Sequence, residues 1–175
     1  MAYRLFYRSR VFLMDDVIIQ QHYNDATAVC YGCGKHNTHG LHVQTHWNGT
    51  EGISHFTPQP YHTAFPGVVY GGILASLIDC HSIGTAIAAM HDAEGQPYGA
   101  EPEITCVTGQ LNVTYLKPTP IGAELVIRAH VKELTTRKAI IATSVYAGDV
   151  ECVRAEVIAI RVSARQLEAL NSKPE

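Results

Sequence analysis

Asp79 is the residue whose type and position in this sequence best suit chemistry on a bound molecule. It lies within a long apolar stretch, where a buried carboxylate without a partner is costly. At 100° steps around a helix, it shares a side with mostly small residues, namely Gly72, Ala75, Ser76, Ser82, Ile83 and Ala86. We therefore expect a pocket built around this carboxylate. The alternative is that Asp79 faces solvent or satisfies a nearby backbone donor.

The pair Gly71-Gly72 stands where a loop turns into the same apolar stretch, at the predicted start of a helix. The first amides of a helix have no intrahelical acceptor, and the positive end of the helix dipole lies beside them. Both amides point where a carbonyl oxygen could sit, and loss of one such oxyanion donor typically raises a barrier by about 3 to 4 kcal/mol. Alternatively, two glycines simply permit a tight turn or close packing.

Cys30 and Cys33 form a Cys-x-x-Cys pair that is followed closely by His36, His39 and His42, which raises the question of a zinc site. A structural zinc site normally takes its second pair of ligands from a separate turn. Three histidines at three-residue spacing do not form that pattern, so we predict neither a metal nor another cofactor. Five cysteines, an odd number, fit reduced thiols in a cytosolic protein, and the expected location is the cytoplasm.

Composition and charge limit the possible partners. The 175 residues suit one domain, and 46% apolar against 17% charged residues is a globular balance. A net charge of -3 without a cluster of Lys and Arg argues against nucleic acid. The N-terminal residues lack a clean signal-peptide core. The longest apolar segment, Ile73 to Met90, is interrupted by polar residues, including Asp79 and His81, which favours a buried helix over a membrane span.

Alternating apolar and polar residues predict a hairpin in the first third of the chain. The alternation runs from Leu41 to Trp47 and resumes from Ile53 to Phe56, with Asn48-Gly49 as the turn. A short helix from Phe12 to Gln21 is expected before it. A Pro-rich loop from Pro58 to Pro66 follows.

One long helix is predicted from Gly71 to Met90, with Ile73, Leu74, Leu77 and Ala88 as anchors on the side opposite Asp79. It is apolar on nearly every side, so other structure must wrap it. Four strand-like segments come next: Cys106 to Lys117, Glu124 to Leu134, Lys138 to Tyr146 and Glu151 to Val162. Their short connections predict an antiparallel meander. The whole order indicates an α+β fold, a curved antiparallel sheet wrapped around one central helix. A short helix is expected from Ser163 to Leu170, near the C-terminus.

Three segments of the chain carry a family resemblance. They are the run from Gly67 to Asp79, the strand from Gln110 to Pro118, and the Cys-x-Gly-Cys-Gly-x-x-Asn-x-x-Gly-Leu pattern from Cys30 to Leu41. Together they resemble hotdog-fold thioesterases of the phenylacetyl-CoA (PaaI-like) and human thioesterase-superfamily-member type. The resemblance implies a hotdog thioesterase-like domain over residues 41–162, with an N-terminal segment, 1–40, packing on it and a C-terminal tail, 163–175.

The resemblance also implies an activity, the hydrolysis of an acyl-CoA to a carboxylic acid and free CoA. Asp79 would then be the general base or nucleophile, the Gly71 amide would polarise the thioester carbonyl, and Thr108 would hold the water. Such enzymes complete their site across a dimer interface, with the aspartate and threonine from one subunit and the glycine amide from the other, which implies a homodimer or a dimer of dimers. By strand alternation Thr108 shares a face with Gln110, Asn112 and Thr114, so an ordinary polar strand face is the alternative.

Six further residues are candidates for substrate binding: Gly72, Tyr70, His62, Ser82, Arg137 and Lys138. The last two lie at the tight turn between two strands, where hotdog enzymes often place cations against nucleotide phosphates. Arginine suits that geometry, although charges at surface turns are commonly only solvated.

The sequence departs from the family pattern at two positions. Tyr70 stands where a histidine commonly precedes the two glycines, and Ala64 stands where Asn or Gln is frequent. Without these two family side chains, we expect the thioester to be less well oriented. The protein would then accept a different acyl group or have weak activity. His62 either substitutes for them or is an exposed loop residue. His81 points to another side of the helix than Asp79.

Two other functions are compatible with this scaffold. A non-catalytic acyl-CoA binding protein or sensor fits Tyr70 and Ala64. A hotdog hydratase or dehydratase needs a histidine and an acidic residue that meet at the substrate, and the absence of a histidine at position 70 counts against it.

Overall fold

A seven-stranded antiparallel sheet packs around a single long helix in the computed structural model, which describes residues 17–25, 28–163 and 165–166. The strands of this sheet are β1 (Val17–Ile18), β2 (His46–Trp47), β3 (Glu51–Phe56), β6 (Thr105–Tyr115), β7 (Leu125–Leu134), β8 (Lys138–Ala147) and β9 (Val150–Val162). A separate ribbon pairs β4 (Thr63–Phe65) with β5 (Val68–Val69), and two 3-10 helices cover Ile19–His22 and Pro60–His62. The predicted α+β architecture with one central helix is confirmed.

The helix α1 spans Gly71–Glu94 and packs against β3, β6, β7, β8 and β9. It extends one turn beyond the predicted end, because Gly95 is the first residue that takes a left-handed conformation, with φ at 63°. All four predicted anchors are buried. By length and composition α1 would suit a membrane span, but 78% of its apolar 18-residue stretch is buried inside the fold. The predicted burial of this helix is confirmed.

Strand β6, the first strand of the predicted meander, does not pair with the strand that follows it in the chain. Strands β7, β8 and β9 do form consecutive hairpins, but β6 pairs with β9 at the sheet edge, and β7 pairs with β3. The segment between β6 and β7 contains Pro118 and Pro120, which offer no amide to a ladder. Its backbone bonds instead to the loop before α1, through Val69 N to Thr119 O at 2.9 Å. The predicted β6–β7 neighbour pair is therefore wrong.

The predicted strand from Leu41 to Trp47 is a strand only at His46–Trp47. Its alternate residues are buried as expected: Leu41, Val43, Thr45 and Trp47. However, His42 has φ at 52°, and the amides of Leu41 and Val43 donate to the carbonyls of Tyr31 and Gly32 at 2.8 and 2.9 Å. The backbone of this segment thus bonds to the loop around Cys30 and Cys33, and its alternate apolar side chains pack into the core beside α1. The Asn48-Gly49 turn of the hairpin is confirmed, with β2 and β3 paired across it.

Both predicted terminal helices lie partly outside the described residues. Residues 12–16 of the first are among these, and from Val17 onward the chain forms β1 and a 3-10 helix instead. Tertiary pairing explains the difference, because Ile19 N donates to Thr45 O at 3.1 Å and the Gln20 side chain bonds Thr45 as well. In the second predicted helix, from Ser163 to Leu170, Arg165 and Gln166 are helical. Ala164 and residues 167–170 lie outside the described residues.

Candidate active site

Asp79 lies in the middle of α1, where its side chain is half-buried and faces β6. The Thr108 hydroxyl on β6 donates a short hydrogen bond to Asp79 Oδ1. Both residues line a cavity of about 290 Å³ between α1, the start of β6 and the loop that carries Cys30 and Cys33. The structure therefore brings together two of the three residues predicted to carry the chemistry.

A β-bulge in β6 turns Thr108 toward the helix. Thr108 is opposite Ala159 and Gln110 is opposite Ile158, so Gly109 is the extra residue between them. Since Ala159 and Ile158 are consecutive, Thr108 and Gln110 face opposite sides of the sheet. The prediction that they share a face is wrong, because a bulge shifts the alternation by one residue. Thr108 shares the inner face with the fully buried Ala159.

The environment of Asp79 favours proton transfer. Burial raises the pKa of its carboxyl above the ordinary value, the hydrogen bond from Thr108 acts in the opposite direction, and negative charge on Cys30 raises the pKa further. A carboxylate whose pKa is moved toward the working pH is a stronger base than a solvated one. Apolar side chains form much of the cavity wall beside it, namely Ile83, Ile87, Ile104 and Val107. Such a wall accommodates a hydrocarbon or aromatic group.

Gly71 and Gly72 form the first turn of α1, away from Asp79. Asp79 lies eight positions after Gly71, which is about 12 Å along a helix. The glycines line a different cavity, beside Phe65 and Tyr115, and the Tyr115 hydroxyl donates to Gly71 O at 2.9 Å. Among the described residues, none accepts a hydrogen bond from either glycine amide. Gly71 and Asp79 of one chain therefore cannot hold the same carbonyl group.

The ring of Tyr70, the residue before the two glycines, packs against Gly72. A Cβ at Gly72 would lie 2.4 Å from the ring of Tyr70, so a side chain at position 72 would displace that ring. Tyr70 itself is exposed and lines a third cavity together with His62.

His62 is buried, so the alternative of an exposed loop residue is wrong. It ends the 3-10 helix Pro60–His62, its ring stacks on Phe56 with centroids 5.6 Å apart, and the Gln59 amide donates to its Nδ1 at 3.1 Å. Burial lowers the pKa of His62 and so favours the neutral ring. It lines the cavity beside Tyr70 and not the one that holds Asp79.

Ser82 does not face the cavity, and the prediction that it contacts substrate is wrong. Its side chain is fully buried, and its hydroxyl is 2.7 Å from the Thr143 hydroxyl on β8. Three residues along a helix leave an angle of about 60° between side chains. That angle is enough to turn Ser82 from the Asp79 cavity to the sheet.

His81 points away from Asp79, as predicted. It is fully buried, its Nδ1 accepts a hydrogen bond from the Thr45 hydroxyl at 3.0 Å, and its Nε2 donates to Gly52 O at 3.1 Å. Burial lowers the pKa of His81 to about 4. The neutral ring is therefore a structural link between α1 and the β2–β3 hairpin.

Arg137 and Lys138 lie at the β7–β8 turn, outside the wall of the Asp79 cavity. Lys138 is opposite Ile160 on β9, and Ile160 is opposite Val107 on β6. The β7–β8 turn therefore lies two strands away from Val107, the neighbour of Thr108, a distance of about 10 Å across the sheet. Arg137 is exposed, and within the described part of the chain no acidic side chain pairs with it or with Lys138.

A third thiol, which no sequence motif indicated, joins Cys30 and Cys33. Cys80 on α1 has its Sγ 3.7 Å from Cys30 Sγ, and the three sulfur atoms lie within 4.8 Å of one another. All three residues line the Asp79 cavity. His36, in contrast, contacts Asp25 at 3.2 Å. No spacing rule links residue 80 to residue 30, and only its place directly after Asp79 could have drawn attention to it.

Cys30 is the thiol of this group that ionises first. Hydrogen bonds from the Cys33 and Cys80 thiols hold its pKa well below the ordinary value. The same contacts with Cys30 raise the pKa of Cys33 and of Cys80.

Comparison with known proteins gives relatives of the region that contains this site. The sequence profile described as Thioesterase superfamily matches residues 66–154, about half of the chain. A thioesterase superfamily protein of known crystal structure from Shewanella loihica is 36% identical and has a TM-score of 0.58. That match covers 80% of this chain and 99% of the Shewanella chain.

Two further matches are more limited. Mouse acyl-coenzyme A thioesterase 13 is 39% identical over 70 residues, which is 40% of this chain and 42% of the mouse protein. A Streptococcus mutans protein solved with acetyl-CoA bound has a TM-score of 0.57 at 16% identity, covering 69% of this chain and 89% of that one. At that identity the likeness concerns the fold alone.

Proposed function

Because this chain belongs to the thioesterase superfamily and has its hotdog fold, we propose that it hydrolyses an acyl-CoA thioester to a carboxylic acid and free CoA. The observation that carries the proposal is the hydrogen-bonded pair of Asp79 and Thr108 on the wall of an apolar cavity. A half-buried carboxylate with a raised pKa is suited to take a proton from water. The apolar wall beside it suits an acyl group.

The proposed reaction uses the two oxygens of Asp79 differently. Thr108 donates to Oδ1, which leaves Oδ2 to accept a proton from water. The oxygen of that water attacks the thioester carbonyl, and the carbonyl electrons move onto its oxygen. When the tetrahedral intermediate collapses, the carbon–sulfur bond breaks, and the CoA thiolate takes a proton from Asp79. Direct attack by Asp79, followed by hydrolysis of an anhydride, is the nucleophilic alternative.

The oxyanion donor in this proposal is Gly71 of a second copy of the chain. Within one chain Gly71 lies about 12 Å from Asp79, whereas its amide has no acceptor among the described residues. Strand β6, which carries Thr108, is an edge of the sheet, and an edge strand this long readily pairs with another chain. A homodimer, or a dimer of such dimers, would place the glycine of one copy near the aspartate of the other.

Acyl-CoA is the thioester class that the relatives favour. The name of the mouse relative specifies acyl-CoA, and one protein of this fold was solved with acetyl-CoA. In this chain Arg137 and Lys138, which pair with no acidic side chain of the described residues, form a cationic turn at the Thr108 end of the sheet, and this turn would bind the nucleotide phosphates. A cytoplasmic location, where CoA and reduced thiols occur together, is part of the proposal and fits the five free cysteines.

An acyl-CoA binding protein without turnover is the second candidate. It is favoured by Tyr70 and Ala64, and by His62, which lines another cavity than Asp79. A hydratase or dehydratase has less support, because no histidine of the described residues lines the Asp79 cavity.

Thiol release from a panel of acyl-CoAs tests the proposed function. We expect the purified protein to release free CoA from at least one short, medium, long or aromatic acyl-CoA, with stoichiometric formation of the acid. The matching oxygen esters serve as controls for nonspecific esterase activity. Binding measured by calorimetry without any CoA release across the panel would support the binding protein instead.

Arg137→Ala should raise KM for acyl-CoA by about 10-fold, the equivalent of roughly 1.4 kcal/mol, with little change in kcat. The reason is that a phosphate contact far from the reacting carbon binds substrate and transition state equally. A substrate analogue that ends at the pantetheine unit should show no change, since it lacks the nucleotide phosphates. Arg154→Ala is the matched control, because Arg154 is exposed but already paired with Glu151. An equal effect on both substrates would argue against a phosphate contact.

A further inference from the structure

Three thiols from two distant parts of the chain converge on one point of the cavity wall. Cys30 and Cys33 come from the N-terminal loop and Cys80 from α1, with all three sulfur atoms within 4.8 Å of one another. Zn–S bonds of about 2.3 Å in a tetrahedron place neighbouring sulfur atoms about 3.8 Å apart. Cys30 Sγ and Cys80 Sγ are 3.7 Å apart. The spacing therefore matches one edge of a thiolate metal site.

The backbone around the thiols holds this spacing in place. Gly34 N donates to Cys30 O at 2.8 Å, which closes the loop between the two cysteines. A Cβ at Gly32 would lie 2.2 Å from Cys80 Sγ, so the loop lies directly on the helix at this point. A Cβ at Gly34 would come within 2.4 Å of the Cys30 amide nitrogen. Both glycines are thus required for the approach of the three sulfur atoms.

The cavity beside the thiols contains a buried hydroxyl that has no partner among the described residues. Tyr23 lines the same cavity, and its hydroxyl oxygen is buried and makes no hydrogen bond within the part of the chain that the structure describes. A buried hydroxyl is normally satisfied by protein, water or ligand. A water or substrate atom on a cation at the thiols would lie in this cavity and offer such a partner.

We propose that Cys30, Cys33 and Cys80 bind one thiophilic cation of the Zn²⁺ class, with the fourth coordination position open to the cavity that holds Asp79 and Thr108. Thiolates are preferred ligands of zinc, and three protein ligands with one open position is the pattern of reactive rather than purely structural zinc sites. As each metal–sulfur bond forms, the thiol releases its proton to solvent. Cys30 is exposed, so the cation has an entry path. The site goes beyond the proposed hydrolysis and does not depend on it.

Cobalt titration of the reduced, chelator-stripped, full-length protein tests the proposal. We expect a thiolate-to-cobalt charge-transfer band that saturates at equimolar Co²⁺ and disappears when Zn²⁺ competes. Cys80→Ser should weaken binding by more than about 100-fold, since changes that only touch the surroundings of metal ligands already cost 10- to 100-fold. Cys152→Ser is the matched control, because Cys152 is also buried but contacts the Pro118 carbonyl elsewhere.

A second measurement needs no variant. In the native wild-type protein, Zn²⁺ should protect the exposed Cys30 from alkylation, as read by peptide mass mapping. No cobalt band with excess Co²⁺, or unchanged binding in a folded Cys80→Ser variant, would overturn the proposal. So would a reduced protein that binds no cobalt but forms a disulfide from Cys30 under a mild thiol oxidant. None of these readings depends on hydrolysis, so the metal site and the thioesterase activity can fail separately.

Discussion

Asp79→Asn should lower the rate of acyl-CoA hydrolysis by about 100- to 10,000-fold, the range that a positioned general base contributes. Asparagine keeps the shape and accepts the hydrogen bond from Thr108, but its amide cannot take a proton from water. Thiol release under saturating substrate measures the loss. Because burial disfavours the ionised Asp79, the variant should melt at the same or a higher temperature than the wild type. Full activity in the folded variant would remove Asp79 from the mechanism.

Thr108→Val separates the hydrogen bond from general effects of substitution at this site. The hydroxyl of Thr108 lowers the pKa of Asp79, so its removal should shift the acidic limb of the pH–rate profile to higher pH. Thr114→Val is the matched control, since Thr114 is exposed on the same strand and far along it from Asp79. An acidic limb that stays in place would show that another group titrates.

A single turnover in water enriched in heavy oxygen distinguishes the two routes through Asp79. General-base catalysis places the heavy oxygen only in the released acid. Attack by Asp79 gives an anhydride, and hydrolysis at its aspartyl carbon would leave the heavy oxygen in Asp79. Mass analysis of the peptide that contains Asp79 reads the result.

The stability of the wild-type protein should fall as the pH drops from about 6.5 to about 4, because His81 is held neutral in the fold. Its pKa is about 4 in the fold against the ordinary 6.5. In that window the unfolded chain binds a proton that the folded chain does not, so protons favour unfolding. The stabilisation is complete above 6.5 and lost by about 4, and its size is about 3 kcal/mol.

His81→Asn should flatten this pH dependence, measured as the free energy of unfolding by urea between pH 7 and pH 4. The variant should also be less stable at neutral pH, since the Thr45 hydroxyl and the Gly52 carbonyl lose their partner. His39→Asn is the control, because His39 is exposed. An unchanged slope in His81→Asn would mean that other groups cause the acid sensitivity.

Local residue patterns were sufficient for much of the fold. The apolar stretch after Gly71 predicted the central helix, and the alternation in the last third predicted β7, β8 and β9 to within a few residues. The Asn48-Gly49 turn predicted its hairpin. These features depend on neighbours a few residues apart, so periodicity and turn chemistry determine them.

Contacts between residues that are distant in the chain were determined by the tertiary structure alone. The pairing of β6 with β9, the bulge at Gly109, and the burial of His62 and Ser82 have no local signature. Alternation predicts that a residue is buried but not which strand or helix covers it. For the same reason the strand expected from Leu41 is buried at alternate residues without pairing into the sheet.

The sequence by itself determined the family resemblance and the choice of Asp79, because both rest on residue types within short segments. The resemblance also paired Thr108 with Asp79 and assigned the Gly71 amide to the other subunit, whereas only the tertiary structure showed the hydrogen bond between Thr108 and Asp79 and added Cys80 to Cys30 and Cys33. The physical reason is that a helix crossing a sheet brings together side chains from segments about 30 to 50 residues apart, and their contact depends on packing angles that no local pattern encodes.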